Sequence, residues 1–206
     1  MGRWHDRTGG GIGPFARDGY FIFRRVLSES QVDALRTESD RLRHYGERFD
    51  ETIHDGQVRW LIQPGDGERT VLRGLQYPYR MSAPFDEVRT ARAMFDILEP
   101  FIGPNIVSVL GTLFWKPAGA AKTVIAYHQD ASFRKPPENY RNLASSYVQV
   151  GIALDPHGPG NGGMRFVVGS HRSGDLDLRR SSSVLSEAPS DDNLAALGFN
   201  PSDVRD

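Results

Sequence analysis

The spacing of apolar residues along this chain changes once, near residue 105, and the change separates a helical part from a β part. Before it, "FARDGYFIF" at 15–23 is aromatic-rich and predicts a short strand, preceded by a polar, glycine-rich leader over 1–14. Ser28 and Gln31 have the spacing of a capping box. Val32, Leu35 and Leu42 follow at helical intervals, so an amphipathic helix is expected over 29–45. Residues 50–80 are mixed: "VRWLI" predicts a strand, "QPGDGE" a turn and "TVLRGLQYPYR" an extended piece ending at a proline. A second helix is expected from Ser82 as N-cap. It carries Phe85, Val88, Phe95 and Leu98 on one face until Gly103 and Pro104 break it.

From 105 onward the pattern is that of strands. "NIVSVLGTLFWK", "KTVIAYHQD", "SSYVQVGIALD" and "GMRFVVGSH" are β-rich, separated by Gly/Pro loops such as "PHGPGNGG". The tail, "SSSVLSEAPSDDNLAALGFNPSDVRD", is polar, with one weak helical piece at 191–197. Helices followed by antiparallel strands make an α+β chain whose β part reads as a sandwich or jelly roll. One domain is expected over 1–206: the leader to 14, a helical and mixed part over 15–104, and the jelly roll over 105–206. No internal repeat interrupts it.

Composition removes several classes of function. The chain has 206 residues, 38% hydrophobic and 25% charged, which suits a globular domain with a real core. A net charge of −1 gives no reason to expect nucleic acid or an anionic membrane as partner. No run approaches the roughly 20 apolar residues of a spanning helix, and the N-terminus lacks a signal-peptide core, so a cytoplasmic location is expected. The absence of cysteine excludes disulfides, zinc–thiolate sites and thiol nucleophiles. Lysine is confined to Lys116, Lys122 and Lys135, leaving arginine as the main cation, the better residue for gripping a carboxylate with two hydrogen bonds. "GPGNGG" lacks the lysine of a phosphate loop.

What remains is "YHQDASF" at 127–133. On a strand, residues i and i+2 share a face, so His128 and Asp130 can aim an imidazole nitrogen and a carboxylate oxygen at one point. With one further histidine they would form the facial triad of two histidines and one carboxylate, leaving three adjacent positions open on Fe(II). A 2-oxo acid fills two of those and O2 the third. The plain reading is a strand-end histidine beside a turn-capping aspartate. His5, His44, His54 and His157 lie in leader, helix-face or turn settings that read as surface. His171, in "GSHRSG" at the end of an expected strand, is the third ligand that spacing nominates.

Four blocks in order resemble the phytanoyl-CoA dioxygenase family of Fe(II)/2-oxoglutarate oxygenases. "FARDGYFIFRRVLSESQVDALRTESDRL" is similar to its opening, "GPNIVSVLGTLFWKPAG" to the segment leading into the metal strand, "YHQDASF" to the H-x-D motif and "ALDPHGPGNGGMRFVVGSHRSGDL" to its later Gly-Ser-His stretch. The resemblance implies a double-stranded β-helix with N-terminal flanking helices, with Fe(II) and 2-oxoglutarate. It further implies hydroxylation of a small molecule by O2, giving succinate and CO2. Related halogenases have a small residue in the carboxylate position, so Asp130 favours hydroxylation. Val168 departs from the proline usual before Gly-Ser-His and reads as a loop detail.

The same resemblance puts His171 in a structural turn. It places the distal histidine and the arginine that grips 2-oxoglutarate further along than Asp206, so the last strands are expected to be missing and the chain to be truncated. Among residues present, Arg73 in "LRGLQYPY" resembles the position of a basic residue near the cosubstrate, against the alternative of a surface arginine. Gln149 shares the alternating face of Ser145, Tyr147 and Gly151 and could hydrogen-bond the cosubstrate if that face lines the barrel. The competing reading is an inactive fragment or a non-catalytic binding module of the same fold. A cupin-type isomerase or sugar binder shares the architecture without a reason for H-x-D.

Overall fold

The structure is a computed structural model that describes residues 5–118, 125, 127–134, 136–174, 176, 194–195 and 197–205. In chain order its elements are α1 (His5–Asp18), α2 (Glu29–Gly46), β1 (Ile53–Asp55), β2 (Val58–Pro64), β3 (Thr70–Gln76), α3 (Ala83–Arg89), α4 (Arg92–Ile102), β4 (Thr112–Phe114), α5 (Leu143–Ser146), β5 (Phe166–Val167) and β6 (Val204–Arg205), with short 3-10 turns between them. The fold class is α+β with antiparallel sheets, as expected. No helix among the described residues is long and apolar enough to cross a membrane. The chain falls into two compact units, one of Met1–Arg24, Phe95–Ile106 and Ile125–Asp206, the other of Arg25–Met94 and Val107–Val124.

The second unit holds the larger sheet. Its helix α2 starts where the capping box places it. The Ser28 hydroxyl accepts from the Gln31 N–H at 3.2 Å, and the Ser28 N–H donates to the Gln31 side chain at 2.9 Å. Leu35, Ser39, Leu42 and Gly46 form its buried stripe. Strands β1 to β4 lie in sequence order as an antiparallel meander. The β1–β2 turn is Gly56-Gln57, with Gly56 at φ +61, a conformation that favours glycine.

Along β2, Val58, Trp60 and Ile62 alternate inward, so the period-2 pattern of "VRWLI" is the core face. Trp60 is fully buried, with the rings of Tyr45 and Phe49 at 5.4 and 5.7 Å. Burial of each such side chain stabilises the fold by roughly 1.5–3 kcal/mol. Gly46 is glycine because the Trp60 ring and Leu72 occupy the space a Cβ would need.

The first unit is held by aromatic pairs. Phe15 and Phe101 meet edge to face at 4.9 Å, Phe21 and Phe23 at 4.8 Å, and Tyr20 stacks on Phe166 at 4.5 Å. Strands β5 and β6 pair antiparallel, Phe166 opposite Arg205 and Val167 opposite Val204. The Val168 N–H extends this ladder by donating to the Asp203 carbonyl at 2.9 Å, and Gly169 N–H donates to Asp18 at 2.8 Å.

Several element expectations need correction. From residue 5 the expected leader and the start of the strand at 15–23 are α1, which runs through Phe15 and stops at Gly19, whose φ of +85 and N–H bond to the Phe15 carbonyl form a left-handed helix end, and residues 20–23 belong to no strand. Asp18-Gly19 is therefore a helix stop, and the aromatics satisfy one another by ring contact without a ladder. The helix from Ser82 is two helices: Thr90 turns its hydroxyl onto the Asp86 carbonyl at 2.7 Å and leaves helical geometry (φ −99, ψ 3), and Ser82 makes no capping bond.

Of the strand at 105–116 only Thr112–Phe114 pairs, and of "GMRFVVGSH" only Phe166–Val167. "SSYVQVGIALD" begins within α5 and continues in neither helix nor strand, leaving Val150 and Ile152 at 40% and 42% exposure. Much of "KTVIAYHQD" and of the helical piece at 191–197 lies outside the described residues, although Leu194 and Ala195 are helical.

Candidate metal centre

His128 precedes a 3-10 turn, Asp130–Phe133, so the strand end expected at the H-x-D triplet is a turn start. The convergence survives because it needs only one extended residue. Gln129 has φ −109 and ψ 120, which directs its two neighbours to one side. His128 Nε2 and Asp130 Oδ1 stand 3.3 Å apart, with side-chain exposures of 28% and 36%. Phe133 closes one flank, its ring 5.8 Å from the imidazole.

Two donors bound at right angles to one ion at about 2.1 Å stand about 3.0 Å apart. The pair therefore fits two adjacent positions of a hard or borderline divalent cation with an imidazole and a carboxylate, a donor set suited to iron. Among the described residues no group of three or more His, Cys, Asp or Glu side chains is placed to complete such a site.

His171 lines the same cavity as His128, of about 120 Å³, together with Asp18, Gln129 and Arg165. Its Nε2, however, bonds the Ala16 carbonyl at 3.0 Å, and its Nδ1 side lies against Gly19, where a Cβ would come within 2.5 Å of it. The imidazole thus ties the Ser170–Ser173 turn to the end of α1. Asp18 belongs to the same junction. The hydrogen bonds from Arg17 hold its carboxyl below the ordinary range, and the charges of Arg172 and His171 act in the same direction. His44, which bonds Asp40 O, His54 on β1 and His157 are exposed, as their settings suggested.

Gln149 lies in a small polar relay. The Arg134 Nε–H donates to the Tyr147 phenol oxygen at 2.9 Å, and the Tyr147 hydroxyl donates to Gln149 Oε1 at 3.2 Å. Burial raises the Tyr147 phenol above its ordinary value; the Arg134 bond opposes that rise and the nearby Asp130 charge adds to it. Arg134 and Gln129 were missed as site neighbours. The signal for Gln129 was available, since the middle residue of an extended H-x-D must face away from the other two.

Arg73, in the second unit, is not a surface arginine: it is 3% exposed on β3 and donates from Nη1 to the Trp115 carbonyl at 2.8 Å. The Trp115 N–H returns a bond to the Arg73 carbonyl, and the indole N–H reaches Ser39 Oγ at 2.9 Å. Burial lowers the Arg73 guanidinium from its ordinary value. Loss of solvent, then the charge of Arg73, lowers the Lys116 ammonium.

Comparison with known proteins bears on these assignments. A curated protein of Stutzerimonas stutzeri, "Probable alpha-ketoglutarate-dependent hypophosphite dioxygenase", is 29% identical over 121 residues, which are 58% of this chain and 40% of that protein. The match thus spans less than half of the relative's length. No solved structure matches at a significant level. Residues 15–193 match the phytanoyl-CoA dioxygenase (PhyH) family, a stretch that contains the His128–Asp130 pair. The chain belongs to the phytanoyl-CoA dioxygenase family.

Proposed function

We propose that this protein is an Fe(II)- and 2-oxoglutarate-dependent dioxygenase that hydroxylates a small molecule on a double-stranded β-helix scaffold. The observation that carries the reading is the approach of His128 Nε2 to Asp130 Oδ1 within the PhyH match. Bound there, iron would couple the oxidative decarboxylation of 2-oxoglutarate by O2, yielding succinate and CO2, to insertion of the second oxygen atom into the substrate. His128 and Asp130 supply the nitrogen and carboxylate donors. With iron bound, the carboxylate at 130 would leave no place for a halide, which favours hydroxylation over halogenation.

Gln149, oriented through Tyr147 and Arg134, offers an amide to the cosubstrate. His171 serves the turn it is bonded into and is not assigned as a ligand. Because the relative is named for hypophosphite, that anion is the first substrate to assay, beside small organic acids.

The test is an anaerobic titration with Fe(II) and 2-oxoglutarate. A weak visible charge-transfer band is expected for the protein and should vanish in His128→Ala and in Asp130→Ala. No band with the wild-type protein, or a band unchanged in both variants, refutes the assignment and leaves the binding-module reading.

A further inference from the structure

The residue between the two donors is itself held from both ends. The Gln129 side-chain amide donates through Nε2 to the Gly174 carbonyl at 2.9 Å and accepts, through Oε1, the Leu176 N–H at 2.9 Å. A primary amide carries one donor face and one acceptor face, as a peptide group does. Here it pairs with a carbonyl and an N–H two residues apart, as a neighbouring strand would. Gly174 contributes by conformation. Its φ of +73 and ψ of −157 lie in a region essentially reserved for glycine, and a Cβ there would meet nothing within 4 Å.

We propose that Gln129 is a positioning residue whose two-point grip on Gly174 and Leu176 fixes the backbone that aims His128 and Asp130 at a common metal. The argument is geometric. His128 and Asp130 are partly exposed, and only Asp130 belongs to the 3-10 turn, so the backbone of the residue between them relates their directions. Because Gln129 is extended, its side chain leaves on the face opposite theirs, and locking that side chain locks the rotation of the whole triplet. Groups that orient metal ligands from behind are worth about 10–100-fold in metal affinity. The role rests on the metal reading proposed above, while the grip itself does not.

Two readouts separate them: exchange of the Leu176 amide in the metal-free protein, and the Fe(II) dissociation constant by competition with a chelator. In the wild type the Leu176 amide should be protected. Gln129→Leu, of similar size but without hydrogen bonds, should lose that protection and weaken Fe(II) binding about 10–100-fold, with far-UV circular dichroism unchanged. Gln129→Glu should retain Leu176 protection through its carboxylate oxygens and lose the donor to Gly174.

Gly174→Ala perturbs the same grip by backbone strain alone, without touching the triplet, and should weaken Fe(II) in the same direction. Unprotected Leu176 in the wild type, or protection unchanged in Gln129→Leu, overturns the grip. Lost protection with unchanged Fe(II) affinity overturns the positioning role. Failure of the wild type to bind Fe(II) overturns the metal reading and, with it, that role.

Discussion

Replacing Gly46 by alanine sets two effects of opposite sign against each other. Gly46 closes α2, where alanine favours the helix by at most about 1 kcal/mol. Against this, the new methyl carbon would lie 2.5 Å from Trp60 Cε3, closer still to Cζ3, and 2.8 Å from Leu72 Cδ2. Carbon pairs are most favourable near 3.5–4.0 Å, so the indole would have to retreat by about 1 Å. It has no room, being fully buried between Tyr45 and Phe49.

Overpacking of this kind costs about 1–3 kcal/mol, so steric conflict outweighs helix propensity and a net loss of about 1–2 kcal/mol is expected. Urea unfolding followed by tryptophan fluorescence should show a lower midpoint for Gly46→Ala. In a Trp60→Phe background, which removes the crowding carbons, the alanine should cost measurably less. A midpoint equal to or above that of the wild type, or full additivity in the double variant, refutes the packing argument.

Val168→Pro removes the N–H that bonds Asp203; it should destabilise the β5–β6 pair by about 1 kcal/mol or more, seen as a lower thermal midpoint, and unchanged stability would refute its part in the ladder. Glu38 is held below the ordinary carboxyl range by its Arg41 hydrogen bonds, so its contribution is present above the unfolded value of about 4.3 and is lost as pH falls through the lower folded value. Glu38→Gln should flatten the acid limb of a stability-versus-pH curve, and an unchanged slope would show that the carboxylate is not coupled to folding.

Local chemistry was legible in the sequence at three places. The capping box of Ser28 and Gln31, the α2 stripe of Leu35 and Leu42 and the alternation around Trp60 each depend on residues close in the chain, and each was read with the right period. The strands expected beyond 105 depended on partners. Val150 and Ile152 have the alternation of a half-buried strand, yet β-propensity measures fit to a neighbouring strand and says nothing of whether one is there. The α1 end failed for a related reason, since Asp18-Gly19 stops a helix as well as it turns a strand. The approach of His128 to Asp130 was legible because an i, i+2 rule survives in any extended residue. The burial of Arg73 was not found, because it depends on Trp115 across the sheet.

That burial divides the local positive charge into two kinds. Arginine keeps its proton at every pH where a folded protein is handled, even with its guanidinium lowered by desolvation, so β3 carries one cation that no change of medium removes. Lys116 is adjustable: drier surroundings and its neighbour's charge both ease its ammonium toward the neutral amine, and it yields first as the solution turns alkaline. The positive charge beside β3 therefore falls with rising pH through Lys116 and not through Arg73.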